Sequence, residues 1–151
     1  MTEVLGIDHI YLAVRDLEAS RRWYDVVMKI LGFRSGNFRI GDEPHASYYN
    51  RHFGFVLRPA RGGTRHDPYA PGLHHFCFRV DSDDDVRAVF QALRETGIAA
   101  SSPALYPQYA PDYFAVFFDD PDGMRLEVTN YRAERRQRHD HWHDLQEDLA
   151  Q

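Results

Sequence analysis

The sequence predicts an α+β fold in which two βαβββ modules pair around a curved mixed sheet and form a metal-binding cleft. Three observations predict it. Two segments, Ile7 to Val14 and Leu73 to Val80, alternate apolar and polar residues with the period of a strand. Each is followed by apolar residues at helical spacing that stop at a glycine. The glycines Gly32 and Gly97 fall 23 and 22 residues beyond His9 and His75, which hold matching places in the two opening strands. This is an internal duplication, and neither half can close a sheet alone.

In the first module Ile10, Leu12 and Val14 point one way along the strand, and His9, Tyr11 and Ala13 point the other. Asp16 is placed to cap a helix carrying Leu17, Tyr24, Val27, Met28 and Leu31. Strands are expected near Phe38, over His45 to Asn50 and over Phe53 to Leu57. Pro59 to Gly72 is rich in Gly and Pro and reads as a linker. The second module repeats the plan. Phe76, Phe78 and Val80 oppose His75, Cys77 and Arg79, and Ser82 with Asp85 resembles a capping box. Val86, Val89, Phe90 and Leu93 form the helical stripe. Tyr113 to Asp119 and Arg125 to Tyr131 read as strands joined by the turn Asp120-Pro121-Asp122-Gly123. One domain over residues 1–131 is expected, with modules at about 6–58 and 73–131. Residues 132–151 form a charged tail, in which Trp142, Leu145 and Leu149 suggest a short amphipathic helix.

Composition narrows the function classes. The net charge of −5 argues against nucleic acid, whose binding relies on cationic neutralisation of phosphates. No apolar run approaches the roughly 20 residues of a membrane span, and the first residues lack a signal-peptide pattern. The single cysteine fits a reducing compartment, so a cytoplasmic protein is expected.

Alternation carries the chemistry. The apolar triplets of both opening strands must face the helices, which sends His9 and His75 to the opposite, concave side. Leu126 and Val128 face the core, so Glu127 is expected on the concave side as well. Two imidazoles and a carboxylate suit zinc, nickel, manganese or iron, and three protein ligands leave room for water or substrate. Each member also has a plain reading, as a satisfied strand histidine or a solvated glutamate. His74 is the rival of His75; it aligns with Asp8 and is expected to point the other way.

Asp8 to Val14 (DHIYLAV), His74 to Val80 (HHFCFRV) and Asp119 to Val128 (DDPDGMRLEV) resemble the signature strands of the vicinal-oxygen-chelate superfamily. That group contains glyoxalase I, extradiol dioxygenases, fosfomycin-resistance enzymes and bleomycin-resistance proteins. The resemblance covers Gly6 to about Tyr131. It implies paired βαβββ modules, a homodimer, and a divalent metal that chelates adjacent oxygens of a small-molecule substrate. It implies lyase or isomerase chemistry with the metal as Lewis acid, an iron-dependent extradiol dioxygenase, or a binding protein without turnover. Val56 stands where glyoxalase I carries a fourth ligand, and Phe117 where extradiol dioxygenases carry a tyrosine. Valine cannot bind metal or act as a base, which sets the chain apart from a strict glyoxalase I; the missing tyrosine counts against the second reading, and the complete ligand set counts against the third.

Of the remaining concave-side residues, Tyr11 could donate a proton in catalysis, beside a catalytic role for Glu127, or simply pack. Arg58 and Arg79 could bind a substrate carboxylate or pair with a nearby acid. Cys77 is read as a small core residue. His139, His141 and His143 are read as part of a solvated tail, and His45, His52 and His66 are expected near the cleft mouth without a ranking among them.

Overall fold

Each half of the chain folds a strand, a helix and three further strands in the same order. The computed structural model describes residues 2–145. The first module holds β1 (His9–Val14), α1 (Leu17–Ile30), β2 (Arg34–Ile40), β3 (Glu43–Tyr49) and β4 (Gly54–Pro59). The second holds β5 (His75–Arg79), α2 (Asp83–Glu95), β6 (Ala104–Leu105), β7 (Phe114–Asp119) and β8 (Arg125–Thr129). Helix α3 (Ala133–Asp140) and a 3-10 turn at Trp142–Asp144 follow.

The helix boundaries have local causes. Asp16 accepts the Ala19 N–H at 2.9 Å and caps α1. Ser82 and Asp85 form a reciprocal capping box at the start of α2. Gly32 and Gly97, with φ of 79° and 77°, take the left-handed conformation just past each helix, which a side chain would resist.

The strands form two four-stranded sheets, ordered β1-β4-β3-β2 and β5-β8-β7-β6. β1 runs parallel to β4 and β5 to β8, and the other neighbours are antiparallel. The expectation of one sheet common to both modules is corrected here: β1 and β5 are the outer strands of separate sheets.

What the modules share is the core. Val14, Tyr24, Met28, Phe55, Leu57, Phe78, Val86, Leu93, Leu126 and Val128 belong to one buried cluster spanning both halves. Phe55 packs on Phe76 with ring centroids 5.2 Å apart, Phe33 on Phe78 at 6.0 Å, and Trp23 on Phe118 at 6.1 Å. Burying such rings is the main favourable term, and truncating one of them to Ala costs about 3–5 kcal/mol. Two polar contacts pin the modules as well. The buried Tyr24 hydroxyl donates to Asp120 Oδ2 at 2.9 Å, and Arg15 Nε donates to Asp122 Oδ1 at 2.7 Å. The helix-bearing faces of the two sheets therefore look inward at each other, and the faces that carry His9 and His75 look outward.

The tail differs from its expectation. α3 is a charged helix with no buried residue, and it ends before Trp142. Trp142 and Leu145 are exposed, so they form no stripe against this chain, and Leu149 lies outside the described residues. The cause is composition: Ala133–Asp140 carries six charged residues or histidines beside Ala133 and Gln137, and offers no apolar face.

Candidate metal centre

Strand pairing puts Glu127 opposite Cys77 in the parallel register of β5 and β8. The residue two positions before Cys77 is His75, the diagonal neighbour of Glu127, and its Nε2 stands 3.4 Å from Glu127 Oε2. Leu126 and Val128 point into the core on either side and hold the strand in place. Glu127 is only 2% exposed, whereas the His75 side chain keeps 39% of its surface. A carboxylate so buried needs donors or a cation. One donor is the hydroxyl of Tyr113, which hydrogen-bonds to Oε1.

Tyr113 was not singled out by the sequence reading. It precedes β7 at the same parity as Phe117, which lies directly opposite Glu127, so it shares their face of the sheet. That parity was the available signal. Burial, reinforced by the hydrogen bond to Glu127, holds the Tyr113 phenol above its ordinary range, so it stays protonated and donates. Cys77 is not the small core residue expected: its side chain is exposed on the face it shares with Glu127. Desolvation by the surrounding groups, then the Glu127 charge, pushes its thiol up to about 12, which makes it a poor nucleophile.

His9 stands at the equivalent place in the first module. β1 and β4 pair in the register that puts Val56 opposite Tyr11, as Glu127 is opposite Cys77. Val56 thus fills the place of Glu127, and no acid faces the His9 side of sheet one from that position. The Tyr11 ring lies 5.3 Å from the His9 ring and 6.1 Å from that of His45, edge-on in both cases. Tyr11 is 45% exposed. His45 is buried; its Nδ1 is 3.0 Å from the Glu43 carbonyl, and its Nε2 has no partner among the described residues.

Both histidines have Nδ1 occupied by the residue before them. Asp8 Oδ2 lies 2.7 Å from His9 Nδ1, and His74 Nδ1 lies 2.8 Å from His75 Nδ1. His74 therefore does not turn away from its neighbour as expected: it precedes β5, whose first residue is His75, so the alternation of the strand does not govern it. In each module this leaves Nε2 as the free nitrogen, the arrangement that metal-ligating histidines show.

Within one chain His75 and Glu127 come together and His9 stays apart. Among the described residues no three His, Cys, Asp or Glu side chains gather closely enough to hold a metal ion. Arg58 is tied to Glu43, which also accepts from Arg61 Nε at 2.9 Å. The Arg79 guanidinium lies on the Tyr131 ring, 4.1 Å from its centroid. An open hollow of about 460 Å³ between α1 and strands β2 and β3, lined by Leu17, Arg21, Phe38 and Pro44, contains none of the predicted ligands. No helix of the described residues is long and apolar enough to cross a membrane.

The chain is similar to several known proteins. It is 30% identical over 126 residues to the uncharacterized protein YqjT of Bacillus subtilis, covering 80% of this chain and 95% of that one. It is 25% identical over 136 residues to biphenyl-2,3-diol 1,2-dioxygenase 2 of Rhodococcus globerulus, covering 87% of this chain and 66% of that enzyme. Among solved structures, a glyoxylase/bleomycin resistance protein/dioxygenase domain from Frankia sp. EAN1pec superposes with a TM-score of 0.71 at 28% identity, over 86% of this chain and 100% of that one. Residues 6–128 match the sequence pattern of a family that unites glyoxalases, bleomycin resistance proteins and dioxygenases. The chain belongs to the Glyoxalase/Bleomycin resistance protein/Dioxygenase superfamily.

Proposed function

We propose that this protein is a divalent-metal-dependent enzyme of the lyase or isomerase kind, acting on a small substrate that presents two adjacent oxygens. The observation that carries the reading is the buried Glu127 carboxylate, with His75 Nε2 3.4 Å from one oxygen and the Tyr113 hydroxyl on the other. An imidazole with its Nδ1 already engaged and a desolvated carboxylate are a fitting start to a site for zinc, nickel, manganese or iron.

His9 completes the set from a second copy of the chain. The supporting argument is the shared core, which turns both histidine-bearing faces outward; among the described residues Asp8 is the hydrogen-bond partner of His9, and the His9 Nε2 has none. A two-fold dimer that lays the first sheet of one copy over the second sheet of the other would form two equivalent sites, each with His9 from one copy and His75 and Glu127 from its partner.

A metal held there would act as a Lewis acid on the chelated oxygens and ease proton loss beside them. The chain's own groups divide the remaining work. Glu127 Oε1 is held by Tyr113, which fixes the carboxylate's orientation. Tyr11, exposed beside His9, is placed to donate a hydrogen bond to a substrate oxygen. Val56 and Phe117 offer no donor or acceptor, so they line the site and exclude water.

A second reading, an iron-dependent extradiol dioxygenase, is favoured by the similarity to the Rhodococcus enzyme. Phe117, opposite Glu127 and without a hydroxyl, counts against it. Oxygen uptake with catechols by the iron-loaded protein separates the two readings.

The decisive experiment mixes two variants. His9→Ala and Glu127→Gln homodimers should each bind metal poorly, measured by elemental analysis after purification without a nickel column. Unfolding and refolding an equal mixture should restore metal to the heterodimer, because one of its two sites then contains every ligand. A monomer in light scattering, or no restoration in the mixture, would sink the shared site. Full metal content in both single variants would sink the metal reading itself.

A further inference from the structure

One arginine beside Glu127 lacks a counterion among the described residues. Arg125 stands 3.6 Å from Asp119, and Arg136 Nη2 2.7 Å from Asp81. Arg132 differs. Among the described residues it makes no ion pair, and its half-buried side chain keeps Nε out of water with no hydrogen-bond partner. The nearby carboxylate of Asp112 is engaged elsewhere, accepting the Ala133 N–H at 3.0 Å. An N–H removed from water and left unmatched costs free energy, and a ligand that supplies the acceptor recovers it.

The place of this guanidinium is telling. Its central carbon lies 4.4 Å from the centroid of the Tyr113 ring, and the hydroxyl of that same ring donates to Glu127. Its backbone is fixed, because the Arg132 carbonyl accepts the N–H groups of Arg135 and Arg136 at 3.1 and 3.0 Å. Tyr109 packs edge-on against Tyr113 with ring centroids 5.2 Å apart, and Tyr106 against Phe117 at the same 5.2 Å, so aromatic rings continue the wall. Tyr109 is 63% exposed and open to a ligand.

We propose that Arg132 anchors the carboxylate of an anionic substrate whose flat apolar body lies along the Tyr109 and Tyr113 rings. The guanidinium fork matches a carboxylate with two parallel hydrogen bonds. One uncompensated guanidinium balances one negative charge, whereas a phosphoryl group carries about −1.5 to −2 and would call for more cations. The direction of the rest of the substrate, toward His75 and Glu127, rests on the metal-site reading above; the capture of the carboxylate does not. Together they define the substrate class as an unsaturated or aromatic carboxylate with two adjacent oxygens at the far end.

The test follows the Nε–H resonance of Arg132 in arginine-labelled full-length protein, assigned with Arg132→Lys. Benzoate should shift it downfield and saturate, while benzyl alcohol at equal concentration should not. Arg132→Lys should bind benzoate about tenfold more weakly, because the paired hydrogen bonds are lost, and should keep the parent's zinc affinity in calorimetry within about twofold. A benzoate shift in a parent that fails to bind zinc would support the anion site and refute the metal reading. No saturable benzoate shift, saturation by inorganic phosphate at lower concentration than benzoate, or unchanged benzoate affinity in Arg132→Lys would overturn the proposal.

Discussion

His75 Nε2 stands 3.4 Å from Glu127 Oε2, across two strands that run parallel. Glu127→Gln keeps the shape of the side chain and the core contacts of Leu126 and Val128 but removes the charge. It should lower affinity for zinc or manganese by more than about a hundredfold, while the circular-dichroism spectrum stays that of the parent. Parental metal affinity in this variant would refute the site.

The residues that hold Nδ1 should matter less than the ligands. His74→Ala frees the His75 ring, whose Nδ1 now lies 2.8 Å from His74 Nδ1. Metal affinity should fall about tenfold, the size typical of a lost supporting hydrogen bond. Calorimetric titration measures it, and a loss as large as that of Glu127→Gln would make His74 a ligand in its own right.

Cys77 should be a sluggish thiol. With its pKa pushed up to about 12, first by desolvation and then by the Glu127 charge, little thiolate forms at pH 8 even though the side chain is exposed. The thiolate fraction should be about three orders of magnitude below that of a free cysteine of pKa about 8.5, and alkylation by iodoacetamide should be at least about tenfold slower. Glu127→Gln should speed it, because a carboxylate that disfavours the thiolate is gone. Equal rates in parent and variant would contradict the assigned electrostatics.

Asp120 gives a pH dependence of definite sign. Burial raises its carboxyl above the ordinary value despite hydrogen bonds from Met124, Tyr24 and Asp122. The folded chain therefore holds this proton more tightly than the unfolded chain does. The contribution to stability is greatest in acid and is lost as pH rises from the ordinary aspartate value of about 3.9 through the raised one. The stability of the parent minus that of Asp120→Asn, from urea unfolding, should decline across that window. A difference that grows with pH would reverse the assignment.

Tyr24→Phe probes the joint between the modules. It deletes the buried hydroxyl that donates to Asp120 at 2.9 Å and leaves the carboxylate one donor short. A loss of about 1–3 kcal/mol in urea unfolding is expected, with a single transition retained, since the aromatic packing between modules persists.

Much of this architecture is legible in the chain. Alternation in Ile7 to Val14 and Leu73 to Val80 specifies which face is buried, because the strand period is strict. The caps at Asp16 and Ser82 and the glycines after both helices are local chemistry, readable without a partner. Pairing His75 with Glu127 followed from the same parity. Parity cannot say how two modules dock, however. It assigns His9 and His75 to equivalent faces and is silent on whether those faces meet within a chain or look away from each other. The answer depends on Phe55, Phe76 and Phe78 joining one core, a long-range choice. Tyr113 shares the parity of Phe117, but nothing local marks its hydroxyl as the partner of Glu127; Arg132 lies beyond the last strand, where no periodic pattern marks its direction.

The inward-facing core has a consequence for how the protein responds to dilution. If His9 comes from a second copy, as proposed, metal occupancy and self-association become one linked equilibrium. Lowering the protein concentration below the dimer dissociation constant should release metal, and adding metal should drive monomers together by the same factor. The concentration of the chain would then act as an effector of its own site.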